Sequence, residues 1–339
     1  MRITVIGATG TVGRIFLKLL EERSFPYSEL NLCASSKSLG KSLSVNNKSY
    51  KIEPVSAELL RKTDITFISA TTEISNETGL LAQSCGSTVI DDSSVFRLKP
   101  NVPLVVPEIN VDDLYNHQGI ISIPNCTTTP LAMVLNALSK YQSINRVIVD
   151  TYQSVSGTGK SAINELHEQH SQLTSNQTIS NPQVYPHQIA FNLIPQVDEF
   201  TNSDYTKEEE KIINETRKIL HSSNLQISST CVRVPVVISH SEAVHIEFNK
   251  EISTKKVREA LLNHKGITIL DDTKINSYPT PLQTEGTNDV YVGRIRKDVS
   301  HKNGIALWIV CDNLRKGAAL NAIQIAEELI ERKLVKYTP

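Results

Sequence analysis

Ile3-Thr4-Val5-Ile6-Gly7-Ala8-Thr9-Gly10-Thr11-Val12-Gly13 decides the fold. A β-branched run suited to a buried strand stops at three glycines spaced three apart, and Ile15, Phe16, Leu17, Leu19 and Leu20 continue at helical spacing. The order strand, glycine turn, helix lets a backbone approach a pyrophosphate, while the helix N-terminus supplies N–H donors and the positive end of its dipole. The spacing is GxxGxxG, a variant of the tighter GxGxxG dinucleotide fingerprint.

Working outward, Leu30-Asn31-Leu32-Cys33-Ala34 reads as the second strand. It ends in Ser35-Ser36-Lys37-Ser38, not in the acidic residue that would accept the ribose hydroxyls of NAD. Hydroxyls and a lysine suit a 2′-phosphate, so NADP is favoured; the plainer reading is a polar loop. Apolar runs at residues 65–70 and 88–91, with a helical segment through Leu80, Leu81 and Ala82, predict a parallel sheet covered on both faces. Arg97 falls just beyond a strand end; taken alone it reads as a surface arginine.

A second stretch carries chemistry. After Gly119-Ile120-Ile121-Ser122-Ile123 come Pro124-Asn125-Cys126-Thr127-Thr128-Thr129-Pro130, with Thr129 suited to an N-cap, Pro130 to the first helical position, and an apolar stripe at Leu131, Val134, Leu135 and Leu138. That places Cys126 at a helix N-terminus, where N–H donors favour a thiolate and could hold an oxyanion. A small buried hydrophobe is the alternative.

The chain of 339 residues is long enough for two domains. Its formal net charge of -1, with both signs interspersed, excludes the basic footprint of a nucleic-acid or anionic-membrane binder. Five scattered cysteines without CxxC spacing argue against a disulfide framework and against a metal site, and fit a reducing cytoplasm. The N-terminus has no leader-like pattern and no apolar run reaches spanning length, so a soluble, cytoplasmic protein is expected.

From Val147 onward the strands lengthen and alternate, which implies a change of sheet type. Gln153 precedes the polar turn Ser156-Gly157-Thr158-Gly159-Lys160, and residues 171–183 read as a surface excursion. Thr206 is a capping candidate for a helix over 207–220, on which Glu208 and Lys211 share a face as an ordinary solvated pair would. Arg233 and His240 lie in or beside valine-rich strands where a charge needs a partner; His240 could serve a cysteine nucleophile as acid/base or be a satisfied strand-end histidine. Residues 305–310 form another strand, and Asn313 opens the turn into the final helix.

Together these blocks resemble the aspartate-semialdehyde dehydrogenase family over nearly the whole chain. The carriers are Gly7 to Gly13, Phe96-Arg97, Val105-Val106-Pro107-Glu108-Ile109-Asn110, Pro124 to Thr128, Tyr152 to Gly159, Arg233-Val234-Pro235-Val236 and Asp312 to Ala319. The resemblance implies an α/β fold: an NAD(P)-binding Rossmann domain over 1–126, completed by 314–339, plus a mixed-sheet catalytic and dimerisation domain over 127–313. It implies reductive dephosphorylation of aspartyl phosphate by NADPH in lysine/diaminopimelate, threonine, methionine and isoleucine biosynthesis, by a cytoplasmic homodimer without metal. Cys126 would be the nucleophile, His240 the acid/base, Gln153 the substrate-orienting group, Arg233 the carboxylate clamp and Glu208 the acceptor for the substrate amine. Arg97, Lys211 and Asn125 would hold phosphate. Gly7, Thr9, Gly10, Thr11, Val12, Lys37, Ser38, Ser156, Gly157 and Asn313 would contact NADP(H). Lys37 stands where relatives often carry arginine. Rival readings are an N-acetyl-glutamyl-phosphate reductase, whose acylated substrate has no need of an acid such as Glu208, and a non-catalytic NADP-binding protein. Glyceraldehyde-phosphate dehydrogenase shares the Cys-Thr-Thr run but not the flanking blocks.

Overall fold

The computed structural model describes residues 1–335; the last four residues of the expected 314–339 segment lie outside the described residues. The chain divides into two compact units, Met1–Asn125 with Ala318–Pro339, and Cys126–Gly317.

The first unit is built on β1 (Arg2–Ile6), α1 (Thr11–Glu22), β2 (Glu29–Cys33), β3 (Ser42–Val45), β4 (Lys48–Glu53), α2 (Ala57–Arg61), β5 (Ile65–Ile68), α3 (Thr72–Ser84), β6 (Thr88–Asp91), α4 (Pro107–Asn110) and β7 (Ile120–Ser122). Its sheet runs β3-β4-β2-β1-β5-β6-β7 and is parallel throughout except where β3 meets β4. Strand residues alternate between two apolar layers, as a sheet buried on both faces requires: Val5, Phe67, Ile90 and Ile121 on one side, Ile6, Ile68, Val89 and Ile120 on the other. Ile323, Ile325, Ala326 and Leu329 of the final helix, Leu320–Glu331, join the first layer, so the chain's end completes the Rossmann core. The β3–β4 hairpin has no counterpart in the sequence reading. Asn46 and Asn47 form its two-residue turn at φ 49° and 60°, the left-handed pair that suits hairpin twist.

The second unit contains α5 (Thr128–Ser139), β8 (Ile144–Gln153), α6 (Lys160–Thr174), α7 (Lys207–Ile219), β9 (Gln226–Arg233), β10 (His240–Phe248), α8 (Thr254–Leu262), β11 (Ile267–Ile269), α9 (Pro281–Thr284), β12 (Val290–Lys297) and β13 (Gly304–Cys311). The sheet order β11-β12-β13-β10-β8-β9 is mixed, parallel at its two margins and antiparallel between. On β8, Val147, Val149, Thr151 and Gln153 are buried while Ile148, Asp150 and Tyr152 are half-buried, so one face is covered and the other partly open. Helix α5, almost wholly buried, packs on β8 and β13. It begins earlier than the sequence suggests: Thr127 is already in the right-handed region, and Pro130 is accommodated inside the first turn, where its missing N–H has no intrahelical partner to lose. The polar 171–183 excursion is partly the end of α6 and is then tied down, Glu165 Oε2 accepting the N–H groups of Gln183 and Val184 at 2.7 and 2.8 Å.

Candidate active site

In the second unit, strand register does the assembling. Gln153 at the end of β8 stands opposite Arg233 at the end of β9, and Tyr152 opposite Ser241, while His240 at the start of β10 stands opposite Cys311. Three functional side chains distant in sequence therefore share one edge of one sheet face. Helix α7 packs on β9 and delivers Glu208 to the same edge; its start is fixed by a capping box in which Thr206 and Glu209 satisfy each other's N–H groups.

The network that results is dense. Gln153 Nε2 donates to Glu208 Oε1 at 3.0 Å and to Thr151 Oγ1 at 3.2 Å. Lys211 Nζ lies 3.3 Å from Glu208 Oε2 and 2.7 Å from Asp198 Oδ2. Glu208 is only 5% exposed, so the solvated surface pair is replaced by a buried carboxylate held from two sides. Arg233 is 5% exposed and donates from Nη1 to the Ser154 carbonyl at 2.7 Å. His240 is 2% exposed, and burial followed by the nearby Arg233 charge pushes its pKa well below 6.5. Its Nδ1 accepts the Ser154 N–H at 3.0 Å and lies 3.0 Å from the Ser154 hydroxyl; Nε2 has no hydrogen-bond partner among the described residues.

Behind the imidazole, Asn313 Oδ1 accepts from Ser154 Oγ and Ser156 Oγ at 3.2 Å each and from the Ser239 N–H at 2.9 Å. Ser239 holds φ 74°, a left-handed position for a non-glycine residue, one step before His240. Asn313 and Ser156 are thus brought together with His240. A side chain on Gly157 would sit 3.4 Å from Arg233 Nη1 and from His240 Cε1 and Nε2, so the two groups converge on the space that glycine leaves open. Cys126 is half-buried and opens this unit; Gly317 lies against it so closely that a Cβ there would be 2.9 Å from Cys126 Cβ.

In the first unit the candidate cofactor groups form a cradle. Gly7 holds φ +88°, and any Cβ on it would stand 2.0 Å from the Ser69 carbonyl oxygen. The extended Gly10 caps α1 with no side-chain bond, leaving the N–H groups of its first turn for an anion. Thr9 Oγ1 and Ser38 Oγ are 3.4 Å apart, and Lys37 is exposed beside them. This donor set and the room above its glycines fit a nucleotide pyrophosphate. Arg97 is 7% exposed, contrary to the surface reading, and donates from Nη2 to the Asp92 carbonyl at 2.7 Å. Burial pushes both Asp91 and Asp92 up to about 6 against the pull of Arg97 and neighbouring serines. Asn125 is buried at the end of this unit. Among the described residues no His, Cys, Asp or Glu cluster could hold a metal and no helix is long and apolar enough to cross a membrane.

Sequence reasoning missed Ser154, whose contribution is a backbone amide that every residue type but proline would supply. It also missed Glu242, buried two residues beyond His240 with neither carboxyl oxygen hydrogen-bonded among the described residues. Only the alternation along β10 hints at that burial.

Comparison with known proteins agrees in both units. The profile of the semialdehyde dehydrogenase NAD binding domain matches residues 2–117, and that of the semialdehyde dehydrogenase dimerisation domain matches residues 135–316. The chain is 45% identical to the aspartate-semialdehyde dehydrogenase of Aquifex aeolicus, covering 98% of this chain and 99% of that one, and 42% identical to the Bacillus subtilis protein of the same name, covering 99% of each. Among solved structures, aspartate semialdehyde dehydrogenase II from Vibrio cholerae, complexed with ASA, superposes with a TM-score of 0.94 at 40% identity, covering 97% of this chain and 98% of that one. With both domain profiles matched in order and relatives aligned from end to end, the chain belongs to the aspartate-semialdehyde dehydrogenase family.

Proposed function

We propose that this chain reduces L-aspartyl 4-phosphate to L-aspartate 4-semialdehyde through a thioester on Cys126, in the biosynthesis of lysine/diaminopimelate, threonine, methionine and isoleucine. The observation that carries the reading is the buried set Gln153, Glu208, Arg233 and His240 at one edge of a sheet in the unit that Cys126 opens. An amino-acid substrate offers an ammonium and a carboxylate, and Glu208 and Arg233 are a matching acid and base. An N-acetylated substrate would leave Glu208 facing an amide, which counts against the glutamyl-phosphate alternative.

Cys126 attacks the acyl carbon, its thiolate favoured by the N-terminus of α5, and phosphate departs. Arg97, Asn125 and Lys211 are the phosphate-binding groups, Gln153 orients the acyl portion, and His240 Nε2 faces the reacting oxygen. A bound nicotinamide supplies the hydride. Gly7, Thr9, Gly10, Thr11 and Val12 would hold its pyrophosphate, Ser156, Gly157 and Asn313 would be further contacts, and Lys37 with Ser38 would favour the 2′-phosphate of NADP over NAD. The half-open face of the second sheet, with Tyr152, Ile148 and Trp308 on it, suits a second copy of the chain, and free thiols suit a cytoplasmic homodimer.

The test is phosphate-dependent oxidation of aspartate semialdehyde, followed as nicotinamide reduction with NADP and with NAD. The expected result is turnover that needs phosphate and prefers NADP by about tenfold or more, and a loss of about a thousandfold or more in kcat for Cys126→Ser. Near wild-type turnover in that variant overturns the thioester.

A further inference from the structure

Resting on the reading of Arg233 as the clamp for the substrate carboxylate, we propose that Tyr185 is the residue that positions it: the tyrosine ring lies against one face of the guanidinium and leaves the rest of the fork for the substrate. Arg233 is buried, and its one hydrogen bond among the described residues runs from Nη1 to the Ser154 carbonyl at 2.7 Å; no carboxylate there lies within ion-pair distance of it, and its Nε has no partner. One hydrogen bond fixes a point and not a plane. The ring of Tyr185 supplies the plane, with Arg233 Cζ over it at 5.8 Å from the centroid. A stacked guanidinium keeps its N–H groups in its own plane, which is where a carboxylate meets them two at a time. An acidic residue at 185 would neutralise the charge and compete with the substrate. An aromatic ring does neither.

The ring is itself held from several sides. The Tyr185 hydroxyl donates to Thr158 Oγ1 at 3.1 Å, in the turn that leads into α6. Burial pushes its pKa up against the pull of Arg233, so the phenol keeps the proton it donates. Glu165 and Gln169 stand one turn apart on α6, and each accepts two backbone N–H groups of the segment that carries the tyrosine: Glu165 Oε2 those of Gln183 and Val184, Gln169 Oε1 those of Ile189 and Ala190 at 3.0 and 3.1 Å. Tyr185 falls between these two staples. A few residues on, Ile194 and Arg233 exchange both backbone hydrogen bonds, at 3.0 and 2.8 Å. Residues 185–194 therefore grip Arg233 twice, by a ring on its side chain and by a bridge to its main chain, and the polar excursion before them is the arm that brings the ring into place.

The test is steady-state kinetics of phosphate-dependent semialdehyde oxidation by the full-length chain, with a KM read for each substrate. Tyr185→Leu, which keeps apolar bulk without a π face, should raise the KM for aspartate semialdehyde about tenfold, leave those for NADP and phosphate within about twofold, and change kcat by less than about threefold. Tyr185→Phe keeps the ring and loses only the bond to Thr158, so the rise should shrink to about two- to threefold. Arg233→Met should raise the same KM about a hundredfold, and Tyr185→Leu added to it should contribute less than about twofold more, because nothing is left to position. A wild-type semialdehyde KM in Tyr185→Leu overturns the inference. So does a full tenfold effect on top of Arg233→Met, which would mean that the ring acts without the arginine, and so do equal losses in all three KM values, which would make Tyr185 a structural part only. An unchanged semialdehyde KM in Arg233→Met would instead overturn the clamp reading beneath it.

Discussion

The two candidate binding regions of this molecule are made of different material. The cradle in the first unit is backbone: a run of seven residues, 7–13, whose glycines clear a path and whose helix start offers N–H groups. The edge in the second unit is side chain: Gln153, Glu208, Arg233, His240 and Asn313, from five separate segments, the first two bonded to each other and the other three held by Ser154, Ser156 or Ser239. A cofactor that many proteins bind can be held by generic backbone at a turn, whereas discrimination of one amino-acid acyl phosphate needs side chains of chosen charge and reach. The first region is thus sensitive to added atoms and the second to lost partners.

The strongest way to press that contrast is Gly7→Ala. A methyl group there meets the Ser69 carbonyl oxygen at 2.0 Å, and the residue must also hold φ +88°. The main chain has to move, at a cost of about 2–4 kcal/mol. Thermal unfolding should begin lower, and titration with NADPH should show binding weakened by about a hundredfold or more. A variant with wild-type melting and cofactor affinity would mean that this turn is not the cradle.

The same contrast explains what could be read before any coordinates. The turn at 7–13 was legible because its signal is local: strand, glycines and helix follow one another within twenty residues. The edge was legible only in pieces. Glu208 and Lys211 look like surface charges one at a time, because their burial depends on α7 lying against β9; in the first unit Arg97 looks the same, because it is hidden by folding back to the Asp92 carbonyl, and neither contact leaves a mark in the neighbouring residues. Strand β12 and helix α8 carry no candidate group, and the turn between β3 and β4 rests on Asn46 and Asn47, both in the left-handed region. The Ser154 amide could not have been found at all, since only strand register aims it at Nδ1.

Buried acids sharpen the comparison further. In the first unit Asp91 and Asp92 lie beside Arg97 and are raised to about 6; in the second, Glu242 has neither oxygen hydrogen-bonded among the described residues and is pushed well above its usual range by burial. A raised folded-state pKa means the native state keeps a proton that the unfolded chain releases, so this stability is complete below the unfolded carboxyl range and declines as pH rises through it toward the folded value. Glu242→Met, which fills the same space without a polar atom to satisfy, should therefore stabilise the protein by about 1–3 kcal/mol, with the gain growing from pH 5 to pH 8. Chemical denaturation at the two pH values reads it. A destabilised variant at pH 8 would show that Glu242 has a partner in solution.

Gly157→Ala is the mildest change and the closest counterpart of Gly7→Ala. The substitution is the same, but here the atoms nearest the new methyl group would be side-chain atoms, Arg233 Nη1 and His240 Cε1 and Nε2, each at 3.4 Å. That is a contact the fold can bear, and the backbone is not in the left-handed region, so melting should be unchanged within about 0.5 kcal/mol. What the methyl does occupy is the space between a guanidinium and an imidazole edge. If the substrate lies there, KM for aspartate semialdehyde should rise severalfold, with a smaller change in cofactor affinity because a glycine offers the cofactor only its backbone, an effect of about 1 kcal/mol that falls on substrate binding and not on stability. A rise in the KM for NADP with the semialdehyde KM intact would assign that space to the nicotinamide, and would move Arg233 and His240 to its flank. The outcome separates a residue that touches the substrate from one that touches the cofactor, a distinction that Gly7→Ala, which disturbs everything above its turn, cannot draw.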